Sequence, residues 1–532
     1  MEIIPKRYAA NHYPYSSKMS VKMKTSEATK HYQNIFEKSR HSRILSSISA
    51  LLDWDQETYM PIGAATIRSE QMKVLAGLIH KSRTSPSFAK ALSQLIDLKS
   101  GEILVKGLSS PQKAAVKQWH RDYVKETCLP SSFVEEFAQV CSQSVTVWRS
   151  AKNQNTFHTF APYLDKLVYM NRKKAELLGY ENHPYDALLD LYEPDTTTAE
   201  IEGLFNSLKK SLLSLLKKIK QAKPIDNSFL YGKFEEKKQL ALSAFLMEAL
   251  GHDKSKGRLD ISSHPFSTGM HPTDSRITTR IHPTSLISNI STTLHECGHG
   301  LYEMGLSEEH YGSPLGEPIS LGIHESQSRW WETLIGQSSS FWKYFLPVLK
   351  KAFPKELESI TVDKIYRAVN KVHPSLIRVE SDEVTYSLHV ILRFELEKEL
   401  IEGSLSVRDI PEAWNAKMQE LLGVTPSNNT EGCLQDIHWA MGAFGYFPTY
   451  TLGNLYAAHL FTAFEHDHPT WQNRLAKGDL LFIKQWLNTH IHQYGRQYGS
   501  KELLKKVTGK AFSADAFNHY INRKYTDLYK LK

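Results

Sequence analysis

Cysteine is scarce: Cys128, Cys141, Cys297 and Cys433 are the only four in 532 residues. So few, so widely spaced, exclude a disulfide framework and fit a reducing compartment. Long apolar runs are also missing. No stretch reaches the roughly eighteen residues that a membrane-spanning helix needs. There is no glycine-rich phosphate loop, no internal repeat and no low-complexity linker, so nothing marks a nucleotide site, a solenoid or a firm domain boundary. Charge of one sign is weak as well. The 65 basic and 57 acidic residues leave a net charge of +8, and the two signs are mixed, as in Lys233-Phe234-Glu235-Glu236-Lys237-Lys238. A nucleic-acid-binding stripe is not among the expectations.

What remains is the composition of an ordinary soluble protein, 41% hydrophobic and 23% charged, long enough for a large core. Residues 1–24 are basic, with Lys6, Arg7, Lys18, Lys22 and Lys24 against Glu2, and lack the apolar centre of a secretory signal. They read as a disordered tail. From Thr25 apolar residues recur at threes and fours, including Ile35, Ile44, Ile48 and Leu51, up to the acidic, aromatic stretch Asp53–Pro61, a helix end or a cleft rim. A series of helices follows, broken by Pro111, Pro130, Pro162, Pro184 and Pro194, with one clear stripe at Leu204, Leu208, Leu212, Leu215 and Leu216. At Gly257 the character changes. The β-branched run Asp274-Ser275-Arg276-Ile277-Thr278-Thr279-Arg280-Ile281 reads as a strand, either a cleft wall that pairs with an extended peptide or a structural hairpin.

The stretch that organises the chain is Thr293-Leu294-His295-Glu296-Cys297-Gly298-His299-Gly300. On a helix, residues four apart lie one turn above each other, so His295 and His299 can hold one cation between them and Glu296 can serve as the base for a metal-activated water. The pattern alone arises by chance in roughly one chain in fifteen of this length and composition. Ile287, Ile290, Leu294, Cys297 and Leu301 supply more, forming a core-facing stripe that leaves the histidines on another face of a helix starting near Pro283-Thr284-Ser285. A catalytic zinc site needs a third protein ligand. The first candidate is Glu325, in the helical stretch His324–Glu332 that ends near Gly336; Glu332 is the main competitor, and His324 and His310 are weaker ones.

His264-Pro265-Phe266, Asp274-x-Arg276-x-Thr278, His295-Glu296-x-x-His299, His324-Glu325-Ser326 and Gly445-Tyr446-Phe447-Pro448 occur in an order that resembles the carboxypeptidase Taq family of metallocarboxypeptidases. The resemblance runs from about Thr25 to the C-terminus, so residues 25–532 are expected to form one catalytic domain. It implies a mainly α fold, with a large helical body, a deep substrate cleft and a small β-sheet beside the metal-binding helix. It also implies release of single residues from peptide C-termini. Carried over by position, His295, His299 and Glu325 would bind the metal and Glu296 would be the general base.

Such an enzyme needs a cation for the substrate carboxylate, and a guanidinium meets one with two parallel hydrogen bonds. Arg378 is the first choice and Arg276 the second; the structural alternative for Arg378 is an ion pair, for instance with Asp382. His264, His438 and Tyr446 complete the expected substrate-binding set, Tyr446 or His438 as a donor to the developing oxyanion. The expected cofactor is one divalent metal per chain, zinc first, with cobalt or manganese also compatible. Peptides are the expected partners, with a homodimer, a cytoplasmic location and neither nucleic acid nor membrane. Two other readings are an oligopeptidase that cuts internally and an inactive peptide-binding scaffold.

Overall fold

A computed structural model describes residues 27–262 and 264–532; the expected tail, with Thr25 and Ser26, lies outside the described residues. The fold is mainly helical with one small sheet. The first helix runs Glu27–Thr58 and stops just before Pro61, and its acidic, aromatic end packs on the sheet: Trp54 lies under the guanidinium groups of Arg258 and Arg276, and the Tyr59 hydroxyl donates to Asp260. Pro130 and Pro184 stand at helix starts, as expected of a residue that has no N–H to offer. Pro162 does not break a helix. It sits inside Phe157–Leu178, near enough to the N-terminus that one missing hydrogen bond is tolerated.

The sheet has the order β1 (Gly257–Ile261), β3 (Asp274–Thr279), β2 (Ser267–His271), with β1 parallel and β2 antiparallel to β3. Only β3 is buried along most of its length, which is why it alone carries a β-branched signature. Thr278 fastens the His264-Pro265-Phe266 segment: its hydroxyl accepts from Phe266 N–H, and its own N–H donates to Phe266 C=O.

Directly after the sheet, Ser285 caps the helix Leu286–Gly305 by accepting from Ser288 N–H. Ile290, Leu294, Cys297 and Leu301 are buried on one side of it. Across from it runs Leu321–Arg329, capped by Ser320 and continuing as a wider π-helical turn, Trp330–Ile335. The two helices approach closely at Gly298, where a Cβ would fall 2.5 Å from Gln327 C=O, so only glycine permits the contact. Behind them lie the helices Glu383–Glu402 and Pro448–Asp467, most of whose residues are buried, the first carrying the polar groups His389, Arg393 and Glu397 into the core. Among the described residues no helix is long and apolar enough to cross a membrane.

Candidate metal centre

His295 and His299 stand one turn apart with ring centroids separated by 5.0 Å. Glu325 reaches between them from the neighbouring helix, its Oε2 3.7 Å from His295 Nε2 and 3.4 Å from His299 Nε2. The three donor atoms all lie within 4.8 Å of one another. Tetrahedral bonds of about 2.1 Å place ligand atoms about 3.4 Å apart, so the residues fit a divalent ion with little movement. Glu325 Oε1 and Glu296 Oε2 are buried without a partner among the described residues, a costly arrangement unless something else engages them.

The outward nitrogens of both histidines are occupied. His295 Nδ1 lies 2.8 Å from Glu332, whose carboxylate also accepts from Arg329 at 2.7 Å. The competitor for third ligand therefore contacts the far side of His295. His299 Nδ1 lies 2.6 Å from His324 Nδ1, and His324 Nε2 lies 2.9 Å from Glu303. His310 falls on the separate turn Glu308–His310 and is not part of the converging group.

A second polar group surrounds Arg378, which is buried at 3% exposure. Its Nη2 donates to Asp436 at 2.8 Å and its Nη1 to the Tyr386 hydroxyl at 3.2 Å, while the guanidinium lies over the Tyr450 ring. Asp436 accepts a further bond from Arg393 at 2.6 Å. Asp382, the expected partner of Arg378, instead caps the helix Glu383–Glu402 by accepting from Val384 and Thr385 N–H. His438 meets the Tyr450 hydroxyl at 3.0 Å and packs against Phe447 and Tyr446. Arg276 lies apart from this group, bonded to Asp274 at 2.8 and 3.0 Å and stacked on Trp54.

Residues 34–525 match the family described as carboxypeptidase Taq (M32) metallopeptidase. The chain belongs to this family. It is similar to thermostable carboxypeptidase 1 of Thermus thermophilus, with 40% identity over 508 residues, 94% of this chain and 99% of the relative. Carboxypeptidase 1 of Bacillus subtilis is 38% identical over 488 residues, 91% and 96% of the two chains. Among solved structures, the M32 carboxypeptidase from Deinococcus radiodurans R1 superposes with a TM-score of 0.90 at 35% identity, covering 94% of this chain and all of that one. With the converging histidines and glutamate, these relationships make the protein a metal-dependent carboxypeptidase acting on peptides.

The electrostatics of this M32 carboxypeptidase follow from burial. Burial raises the Glu296 carboxyl to about 7; His295 opposes the shift, and Glu325 and Glu332 add to it. Burial would lower His295, but Glu325 and Glu332 more than offset it and hold it near 9, a proton that a cation must displace. Glu325 itself is held near 2, where His295 and His299 outweigh burial. Burial takes His438 down to about 3, leaving a neutral ring. Tyr446 is raised to about 12, by burial first and then by Glu325, so its phenol keeps its proton. His264 is lowered, by the surrounding protein atoms first and then by Arg378.

Sequence reading placed Tyr450 in a stretch expected to line the cleft but did not single out Tyr386 or Glu303. The last was within reach, since it lies one turn beyond His299 on the same helix.

Proposed function

We propose that His295, His299 and Glu325 hold one zinc ion, that Glu296 is the general base, and that Arg378 receives the C-terminal carboxylate of the peptide. The convergence of the three donor atoms carries the reading. A set of two imidazoles and one carboxylate suits zinc first, with cobalt and manganese compatible. The ion supplies Lewis acidity to the scissile carbonyl and to the attacking water. Glu296, its Oε2 without a partner among the described residues and its carboxyl near 7, accepts the proton of that water and passes it to the leaving amine. Tyr446, protonated and within electrostatic reach of Glu325 and Glu296, donates to the developing oxyanion.

The preference for Arg378 over Arg276 rests on charge balance. Arg276 and Asp274 cancel, whereas Arg378 and Arg393 share the single carboxylate of Asp436 and leave one positive charge over. His264 and the neutral His438 complete the binding surface. Four free cysteines support a cytoplasmic location. We further propose that residues 25–532 form the catalytic domain and that the enzyme works as a homodimer, which sedimentation would test.

Metal analysis with assays before and after chelation decides the central claim. One zinc per chain, activity lost with a chelator and regained with zinc is the expected result; activity indifferent to chelation would overturn it. Peptides with an amidated C-terminus should resist cleavage, and their cleavage at the normal rate would remove the role of Arg378.

A further inference from the structure

We infer that Glu303 and His324 form a relay that fixes the proton of His299, which makes Glu303 a positioning residue for a ligand it never touches. This rests on the ligand set proposed above. The two Nδ1 atoms of His299 and His324 are 2.6 Å apart, a separation that holds one proton and no more. For His299 Nε2 to offer its lone pair inward, that proton must sit on His299 Nδ1. His324 Nδ1 is then the acceptor. With Nδ1 accepting, the ring proton of His324 lies on Nε2, which meets Glu303 Oε1 at 2.9 Å. A carboxylate can only accept, so it closes the chain in one direction: His299 Nδ1–H to His324 Nδ1, then His324 Nε2–H to Glu303. The opposite order would place an N–H on the face of His299 that looks towards Glu325.

The arrangement differs from that behind His295. There one carboxylate, Glu332, touches the ring directly and has its charge balanced by Arg329. Behind His299 the carboxylate acts through an intervening imidazole. The local sequence builds the relay economically. Glu303 follows His299 by one helical turn, and His324 immediately precedes Glu325, so the same two helices supply the ligands and the relay. The side chains of His324 and Glu303 are only 16% and 12% exposed, which limits competition from water.

The test is a zinc titration of the metal-free full-length chain against a chromophoric chelator, on the parent, Glu303→Gln, Glu303→Asp and His299→Ala. An amide can accept or donate and no longer enforces one direction, so Glu303→Gln should bind zinc about 10–100-fold more weakly. Its metal-free thermal midpoint should stay close to that of the parent, which a merely structural role would not predict. Glu303→Asp keeps the charge but withdraws it by one methylene, and should fall between the two. Parent-like affinity in Glu303→Gln, with binding lost in His299→Ala, would overturn the relay and leave the ligand set standing. Unchanged binding in His299→Ala would overturn both. If Glu303→Gln fails to fold, Glu303→Asp decides, and parent-like affinity there overturns the relay.

Discussion

Gly453 lies directly against Glu325: a Cβ at residue 453 would fall 2.4 Å from Glu325 Cγ and 2.7 Å from its Cβ. The Pro448–Asp467 helix therefore sets the depth at which this carboxylate stands. A Gly453→Ala variant should fold, at an overpacking cost of about 1–3 kcal/mol, while pushing Glu325 off its position. Purified protein should carry well under one metal per chain and show a matching loss of activity. Full metal occupancy would mean that the contact relaxes without moving the ligand.

Glu296→Gln keeps size and hydrogen-bonding capacity but removes the basic oxygen. The rate constant kcat should fall by about 10²–10⁴-fold, with metal content unchanged. A variant that also lost its metal would place Glu296 among the ligands instead of beside them.

Among the described residues, Asp436 is the only anion that pairs with the Arg378 and Arg393 side chains, and both are buried. Burial would raise its carboxyl, but the two guanidinium groups hold it far below the usual carboxylate range. Asp436→Asn strands two buried cations and should cost about 3–5 kcal/mol, read as a lower urea midpoint. The KM for short peptides should shift too, because Tyr386 and Tyr450 are packed around the same guanidinium. A midpoint within error of the parent would refute the strong coupling of these three residues.

Acid sensitivity should begin well above the carboxylate range. His252 is lowered to about 4, by burial first and then by Lys484, and His492 to about 3, also by burial. Both are neutral when folded, whereas the unfolded chain protonates near pH 6.5. The unfolded state thus gains protons first, and stability falls as pH drops from about 6.5 towards 4, by up to about 1.4 kcal/mol per pH unit for each such histidine. Urea midpoints between pH 7.5 and 5 should decline, and less steeply in His252→Gln. A flat profile would contradict the burial argument.

The parts of this molecule that were legible in its sequence are those governed by short-range periodicity. Ser285 and the stripe Ile290–Leu301 announce one helix, and the β-branched residues of β3 announce the central strand. Strands β1 and β2 carry no such signal, because they lie at sheet edges with mixed exposure. Pairings across the chain were not legible. Asp382, four residues from Arg378, was the natural local partner, but its carboxylate is spent on backbone N–H groups at a helix start, and the true partner lies 58 residues further on. Glu332 was visible as a group near the histidines, but which nitrogen it would meet depends on packing between two helices that no local pattern encodes.

The wide turn Trp330–Ile335 has a consequence for how this protein tolerates change. A π-helical turn amounts to one residue more than an α-helical turn holds. Removing that residue would restore ordinary helix, yet would rotate everything before the turn by about 100° relative to everything after it. Glu325 lies on one side of that joint, and Glu332 lies within it. Substitutions along this segment change one contact at a time, whereas a single-codon deletion would uncouple a metal ligand from the support of its neighbour in one step. Length, more than residue identity, is the property this segment cannot give up.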